Sequence, residues 1–342
     1  MTASGEHMTA RGEHMTGGGN TMRLLIDTDT ASDDAVALVM ALRNPDVTVE
    51  AITVVAGNVP LDQGVQNALY TAELCGARVP VHAGMAGPLL RPLETAQEVH
   101  GIDGMGDIGL PVRGRTPAPG HAVDVLLRAV DESPGELTLV TLGPLTNVAM
   151  AILRDPSFAR RVRRCVAMAG TGALPGNVTP LAEYNVWVDP EAADIVFRSG
   201  LPITMVGWDV SRDYATIGED EVLRMEALGT DLSRFAVAIQ RRLLQYCLTQ
   251  TKLSGFDLPD PMAMAVAIEP AVATRVDRRF VAVETGGRWG RGQTMVDELE
   301  VTGQAANLDV VRAASRERFL GLLHAAIGYA GEGPAASVPS GS

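Results

Sequence analysis

The chain has 342 residues, 46% of them hydrophobic and 20% charged, which excludes a mainly disordered polypeptide and leaves room for one large α/β domain or two ordinary ones. Its formal charge of −13, from 28 Lys plus Arg against 41 Asp plus Glu, repels phosphate backbones and anionic lipid surfaces, so neither nucleic acid nor membrane is an expected partner. Cys75, Cys165 and Cys247 are odd in number and lack CxxC spacing, which supports neither a disulfide framework nor a zinc knuckle and makes a reducing cytoplasm the expected location.

In chain order, residues 1–22 carry a nearly duplicated Met-Thr-Ala-x-Gly-Glu-His unit without an apolar signal core and read as a disordered leader. Folded structure is expected from Arg23, where the apolar strand Leu24 to Ile26 runs into a polar loop and a helical pattern over Ala35 to Leu42. The alternation continues with strand Val47 to Val55, helix Asp62 to Cys75, a strand near Val81, helix Ala122 to Val130, strand Leu137 to Leu142 and helix Leu145 to Leu153. Then follow strand Val166 to Met168, helix Pro190 to Ser199, strand Ile203 to Val206 and one long helical stretch from Glu219 to Gln250. A helix after Pro261, strands near Arg279 to Val283 and Leu308 to Val311, and a closing helix after Ser315 complete the pattern; residues 331–342 read as a disordered tail. Repeated β–α alternation with apolar strands predicts an α/β fold, a single domain over residues 23–330 with a mostly parallel sheet flanked by helices. Ligands of such sheets collect at the carboxyl ends of the strands.

Asp27, Asp29, Asp33 and Asp34 place four carboxylates within eight residues after the first strand. Their repulsion is costly unless a cation or protons neutralise them, and oxygen-only ligands suit Ca²⁺ or Mg²⁺. The plainer alternative has Ser32 or Asp33 capping the helix and the other carboxylates solvated. An EF-hand is excluded, since the twelfth position from Asp27 is Leu38. The segment Asp27-Thr28-Asp29-Thr30-Ala31 resembles the first motif of haloacid-dehalogenase-type phosphatases, with Asp27 as nucleophile, but that leaves Asp33 and Asp34 idle and needs a lysine, of which the chain has one, Lys252.

The pattern DTDTASDDA uses all four acids and resembles the DxDxxxDDA signature of the calcium-dependent nucleoside hydrolases. Similar motifs follow in the same order: Ala56-Gly57-Asn58, His100-Gly101-Ile102-Asp103-Gly104, Leu142-Gly143-Pro144-Leu145-Thr146-Asn147, Gly176 to Asn185, and Val188-Asp189-Pro190-Glu191-Ala192-Ala193. The resemblance implies a bound Ca²⁺ and hydrolysis of the N-glycosidic bond of ribonucleosides, with a small-molecule riboside as substrate and a homodimer or homotetramer as the assembly. It makes Asp29 the general base and a calcium ligand, with Asp34, Asp260 and the carbonyl of Leu142 as further ligands. Asp33, Asn58, Asn177, Glu183, Asn185 and Asp260 become substrate-binding residues. Breaking an N-ribosidic bond through an oxocarbenium-like transition state calls for these residue types: negative charge, an activated water and hydroxyl anchors.

Taken singly, Asn58 and Asn177 also read as turn residues and Glu183 as a loop charge, two residues from Asn185 on an extended segment. Thr146 and Asn147 read as helix-starting, Asp189 before Pro190 as a helix cap, and Trp208 as core. His100, flanked by glycine, is the candidate catalytic residue near base or ribose, or else a loop-stabilising group; His82 and His324 read as packed. The chain departs from the family in one place. Many members carry a histidine just before the late calcium aspartate to protonate the leaving base, and here Pro259 stands there, leaving His100, Tyr246 and Lys252 as substitutes. A non-catalytic riboside-binding protein is the third reading.

Overall fold

In the computed structural model, which describes residues 21–173 and 175–328, six strands alternate with helices through the first two thirds of the chain: β1 (Met22–Thr28), β2 (Val47–Val54), β3 (Val81–Ala83), β4 (Thr138–Thr141), β5 (Arg164–Met168) and β6 (Ile203–Val206). Most of the leader, with His7 and His14, and the whole tail lie outside the described residues; the first strand begins at Met22, within the segment read as leader. A short antiparallel pair, β7 (Thr216–Ile217) and β8 (Phe256–Asp257), sits apart from the sheet. The last strands are β9 (Ala273–Arg279), β10 (Val281–Val283), β11 (Thr294–Val296) and β12 (Leu308–Ala314).

The eight-stranded sheet runs β3-β2-β1-β4-β5-β6-β12-β9 and is parallel except for the edge strand β9, which pairs antiparallel with β12. This is the expected α/β architecture. The inner strands are apolar on both faces because helices cover both: Leu24, Ile26, Ile52, Val54, Val140 and Val166 pack with the Ser32–Leu42 and Pro259–Ile268 helices on one side. Leu25, Leu139, Cys165 and Ile203 pack with the Ala122–Glu132, Thr146–Arg154 and Pro190–Arg198 helices on the other. The Ser32–Leu42 helix is buried through Ala41, which explains its almost continuous run of small and aliphatic residues. No helix of the described residues is long and apolar enough to cross a membrane.

Two expectations are corrected here. The stretch from Glu219 to Gln250 is not one helix but three, Glu219–Ala227, Asp231–Ala238 and Arg241–Tyr246, followed by a π-helical turn over Cys247–Thr251. Gly229, at φ +67°, ends the first, and Thr230 caps the second by accepting from the Ser233 N–H at 2.9 Å. The strand expected near Arg279 to Val283 is the junction of β9 and β10, which pair with different partners.

Candidate active site

The parallel strands deliver their carboxyl ends to one edge of the sheet. From there β1 runs into the four-carboxylate loop, β2 into Gly57-Asn58, β4 into Leu142-Gly143 and β5 into Gly170. Asp33, Asn58, His100, Leu142, Asn177, Glu183, Asn185 and Asp260 line one cavity of about 290 Å³ at this edge. Asp29 and Asp34 are buried beside it, with no accessible surface.

Asp33, Asp34 and Asp260 each bring a carboxylate oxygen within 4.8 Å of the others. Burial raises the pKa of all three and of Asp29, and the neighbouring carboxylates add to the rise for Asp29, Asp33 and Asp260. Such a set is stable only with protons or a cation between the groups. Individual oxygens are held in place. Asp34 accepts from Thr28 Oγ1 at 2.5 Å and from the Ala31 N–H at 2.9 Å, and Asp29 Oδ2 accepts from the Asn58 N–H at 2.6 Å. Asp29 Oδ1 and Asp33 Oδ1 are buried without a hydrogen-bond partner.

The glycines of two motifs now have a reason. A Cβ on Gly57 would stand 2.1 Å from Asp29 Oδ2, and one on Gly143 would stand 2.6 Å from Asp29 Oδ1. Both loops close on this carboxylate because they carry no side chain there. Hard oxygen donors, two orphaned carboxylate oxygens and this close cradle fit a divalent cation.

The local readings divide. Neither Ser32 nor Asp33 caps the first helix: Ala31 is the N-cap, and Asp34 reaches back to its N–H. Asp260 lies in the first turn of the Pro259–Ile268 helix, directly after its first residue. Glu183 and Asn185 do not share an extended segment. Glu183 is the N-cap of the Tyr184–Val188 helix, with Oε1 accepting from the Asn185 N–H at 2.6 Å and Oε2 from the Gly170 N–H at 2.7 Å. Burial raises its pKa to about 7. Asn185 lies in the helix and donates to the Leu142 carbonyl at 2.7 Å, so that carbonyl already has one partner. Asn177 Oδ1 accepts from the Tyr184 N–H at 3.0 Å.

His100 ends a short helix, Gln97–His100, and Gly101 turns the chain at φ +95°. The ring is 7% exposed, lines the cavity and places Nδ1 2.9 Å from Ser32 Oγ and 3.7 Å from Asp33 Oδ1. Tyr246 lines the cavity. Lys252 is not among the cavity residues, and its ammonium donates to the Thr249 carbonyl. Asp189 caps the Pro190–Arg198 helix through the Ala192 N–H, as its sequence context predicts. Asn147 does not start its helix through a cap; its amide donates to Asp27 Oδ1 at 2.8 Å. Trp208 is 4% exposed and packs in the core with an edge on the cavity. His82 is buried, whereas His324 is half-buried beside Glu221 at 2.6 Å.

The family profile of the inosine-uridine preferring nucleoside hydrolases matches residues 24–321. The chain belongs to this family. A pyrimidine-specific ribonucleoside hydrolase of Citrobacter koseri is 38% identical over 302 residues, 88% of this chain and 96% of that one. Its counterpart in Salmonella typhimurium is 37% identical over 308 residues, 90% and 98% of the two chains. Among solved structures, a plant nucleoside hydrolase superposes with a TM-score of 0.84 at 32% identity, covering 90% of this chain and 99% of its own. A purine-preferring ribonucleoside hydrolase from Gardnerella vaginalis gives 0.83 at 31% identity, covering 90% and 98%.

This nucleoside hydrolase is thus an enzyme that hydrolyses the N-glycosidic bond of ribonucleosides. The phosphatase and binding-protein readings are set aside. Asp27 is fully buried under the site and bonded to Thr53 Oγ1 at 2.5 Å and to Asn147, a geometry that supports the loop rather than exposing a nucleophile. Sequence reasoning did not find the other residues on the cavity wall, among them Glu94, Tyr184, Trp187 and Asp257. Tyr184 and Trp187 could have been found from the short helix they share with Asn185. Nothing local marked Asp257.

Proposed function

We propose that the reaction uses one Ca²⁺ held by Asp29, Asp34 and Asp260, with the Leu142 carbonyl as a further ligand, and that Asp29 is the general base. The observation carrying this reading is the orphaned buried oxygen Asp29 Oδ1 in a cluster with the Asp34 and Asp260 carboxylates, all with raised pKa values. When bound, the cation supplies the charge that keeps these carboxylates ionised and a Lewis-acidic point that makes water easier to deprotonate.

The chain's own groups divide the remaining work. Asn58 ties up Asp29 Oδ2 through its N–H, so Oδ1 is the oxygen left to take a proton from the attacking water. Asp33, Asn58, Asn177, Glu183, Asn185 and Asp260 hold the ribose, and the negative charge of the carboxylates among them favours the oxocarbenium character that develops as C1′ parts from the base nitrogen. That bond's electron pair leaves with the base, whose nitrogen takes a proton from solvent, while the water oxygen joins C1′ and free ribose results. His100 faces the base as a neutral imidazole, since burial lowers its pKa to about 4.

The three free cysteines are buried, which accords with a cytoplasmic protein; a homodimer or homotetramer remains the assembly we propose. Free-ribose release from a panel of ribonucleosides, measured before and after chelation and after Ca²⁺ is restored, tests the reading. Full activity in chelated protein that elemental analysis finds free of metal would overturn it.

A further inference from the structure

The cavity lining includes two chemically different sets of residues. One holds groups assigned to the ribose, Asp33, Asn177 and Asn185 among them, and the other holds His100, Trp208, Leu243, Tyr246, Pro259 and Asp257. With the ribose on the first set, the base is left to the second. At Pro259, where the family resemblance implies a histidine proton, this set has no donor. Two residues earlier it has a carboxylate.

Asp257 is 4% exposed and borders the cavity. It sits in β8, paired with Thr216, and is fixed from behind. Oδ2 accepts from Trp208 Nε1 at 2.6 Å and from Ser211 Oγ at 3.5 Å, while the side-chain partner of Oδ1 is the weak donor Cys247 Sγ at 3.5 Å. The side chains bonded to it are donors, so the carboxylate acts as an acceptor, and Oδ1 keeps most of its capacity. A buried acceptor of this kind binds an N–H group well and a carbonyl oxygen badly, because two sets of lone pairs then face each other in a site from which water is excluded.

We propose that Asp257 is a specificity-determining residue that selects nucleobases presenting an exocyclic amino group, cytosine or adenine, over their oxo counterparts uracil and hypoxanthine. This rests on the riboside reading above and adds the chemistry of the base. Trp208 is the positioning residue for Asp257, since its indole N–H holds Oδ2 and leaves Oδ1 with the weak Cys247 donor.

The test compares kcat/KM within two matched pairs, cytidine with uridine and adenosine with inosine. The amino member is favoured by about tenfold or more in at least one pair, the scale expected where a buried polar group would otherwise lose its partner. Asp257→Asn retains an oxygen for the Trp208 N–H and offers an amide N–H2 to the base, so the ratio collapses or reverses while the melting temperature holds. An unchanged ratio in that variant overturns the proposal, as does a wild-type enzyme that prefers the oxo member in both pairs; the wild-type comparison stands alone if the variant does not fold. If no ribonucleoside releases ribose, the failure belongs to the catalytic reading. Calorimetric binding of free cytosine against free uracil then decides this one: tighter cytosine binding supports it, and equal or tighter uracil binding overturns it.

Discussion

Ser32 Oγ lies 2.9 Å from His100 Nδ1, tying the first residue of the helix that carries Asp33 and Asp34 to the histidine of the glycine-flanked segment. The contact fits either neutral tautomer, with Nδ1 accepting from the serine hydroxyl or donating to it. Burial lowers the His100 pKa from 6.5 to about 4, so the group is neutral at pH 7 and contributes no break near pH 6.5 to the rate profile. His100→Ala is expected to lower kcat/KM without moving the profile along the pH axis. Stability gives a second measurement. Between about pH 6.5 and pH 4 the unfolded chain binds a proton that the folded imidazole refuses, so this group costs stability as pH falls through that window. Urea midpoints at pH 7 and pH 5 should therefore drop less in His100→Ala than in the wild type.

The carboxylate cluster has the opposite sign. The folded pKa values of Asp29, Asp33, Asp34 and Asp260 are raised, so in metal-free protein their contribution is present below the unfolded value of 3.8 and is lost as pH rises through the folded values. Chelated protein should melt at lower temperature at pH 8 than at pH 5.5, and Ca²⁺ should raise the melting temperature more at pH 8. A chelator without effect on melting at either pH would contradict this.

Thr28 Oγ1 donates to Asp34 Oδ1 at 2.5 Å, a contact that orients the carboxylate without touching substrate. Thr28→Val should weaken Ca²⁺ binding by roughly 10- to 100-fold, the usual effect of losing a partner behind a ligand, and excess Ca²⁺ should restore most of the rate. Asp34→Ala should lose the ion and the activity together, with no rescue. Calcium titration of both variants separates the two outcomes.

Glu183 is the most structural of the residues assigned to the ribose. Its two oxygens accept from the N–H groups of Asn185, Gly170 and Val186, joining the end of β5 to the Tyr184–Val188 helix. Glu183→Ala leaves those buried donors unpaired and should cost on the order of 3 kcal/mol by urea unfolding, besides impairing turnover. An unchanged unfolding midpoint would mean that the loops re-pair these donors elsewhere.

Most of this arrangement was legible where chemistry is local. The strand–loop–helix rhythm follows from apolar runs and breakers, and a crowd of acids after β1 signals a cation site by itself. What could not be read is what depends on contacts distant in sequence. Asn147 looks like a helix starter until it reaches 120 positions back to Asp27, and no local pattern tells that Gly57 and Gly143 both meet Asp29. The π turn at Cys247–Thr251 has no periodicity to announce it, and it is this segment with β8 that sets Asp257 and Tyr246 on the cavity wall. Glu183 and Asn185 were misjudged as extended because a five-residue helix is too short to show a period.

The sugar assignment predicts a strong preference for ribose. Asp33 Oδ1 is buried without a hydrogen-bond partner and lies in a residue on the cavity wall, so a missing hydroxyl leaves polar groups unsatisfied. A 2′-deoxyribonucleoside should react at least about 100-fold more slowly than the matching ribonucleoside in kcat/KM. Equal rates would remove these residues from ribose recognition.

The departure that the family resemblance implies concerns the leaving group. Pro259 is the first residue of the Pro259–Ile268 helix and lines the cavity, with no proton to give. The Lys252 ammonium is committed to the Thr249 carbonyl, and Lys252 is not a cavity residue. Tyr246 is on the wall, but burial raises its pKa above 10, and the His100 imidazole is neutral at pH 7. None of Pro259, Lys252, Tyr246 and His100 therefore offers an acid with a pKa near the working pH, and base departure should depend on the intrinsic quality of the leaving group. A riboside with a p-nitrophenol leaving group needs little protonation, so its kcat should exceed that of natural nucleosides by about 100-fold or more, a barrier difference of about 2.7 kcal/mol. The natural substrate should in turn be turned over faster as pH falls, because solvent supplies the proton, until ionisation of Asp29 is lost. Tyr246→Phe distinguishes the remaining possibility: a fall in kcat for the natural nucleoside with the activated riboside untouched would make the phenol the donor, whereas equal effects on both substrates leave protonation to solvent.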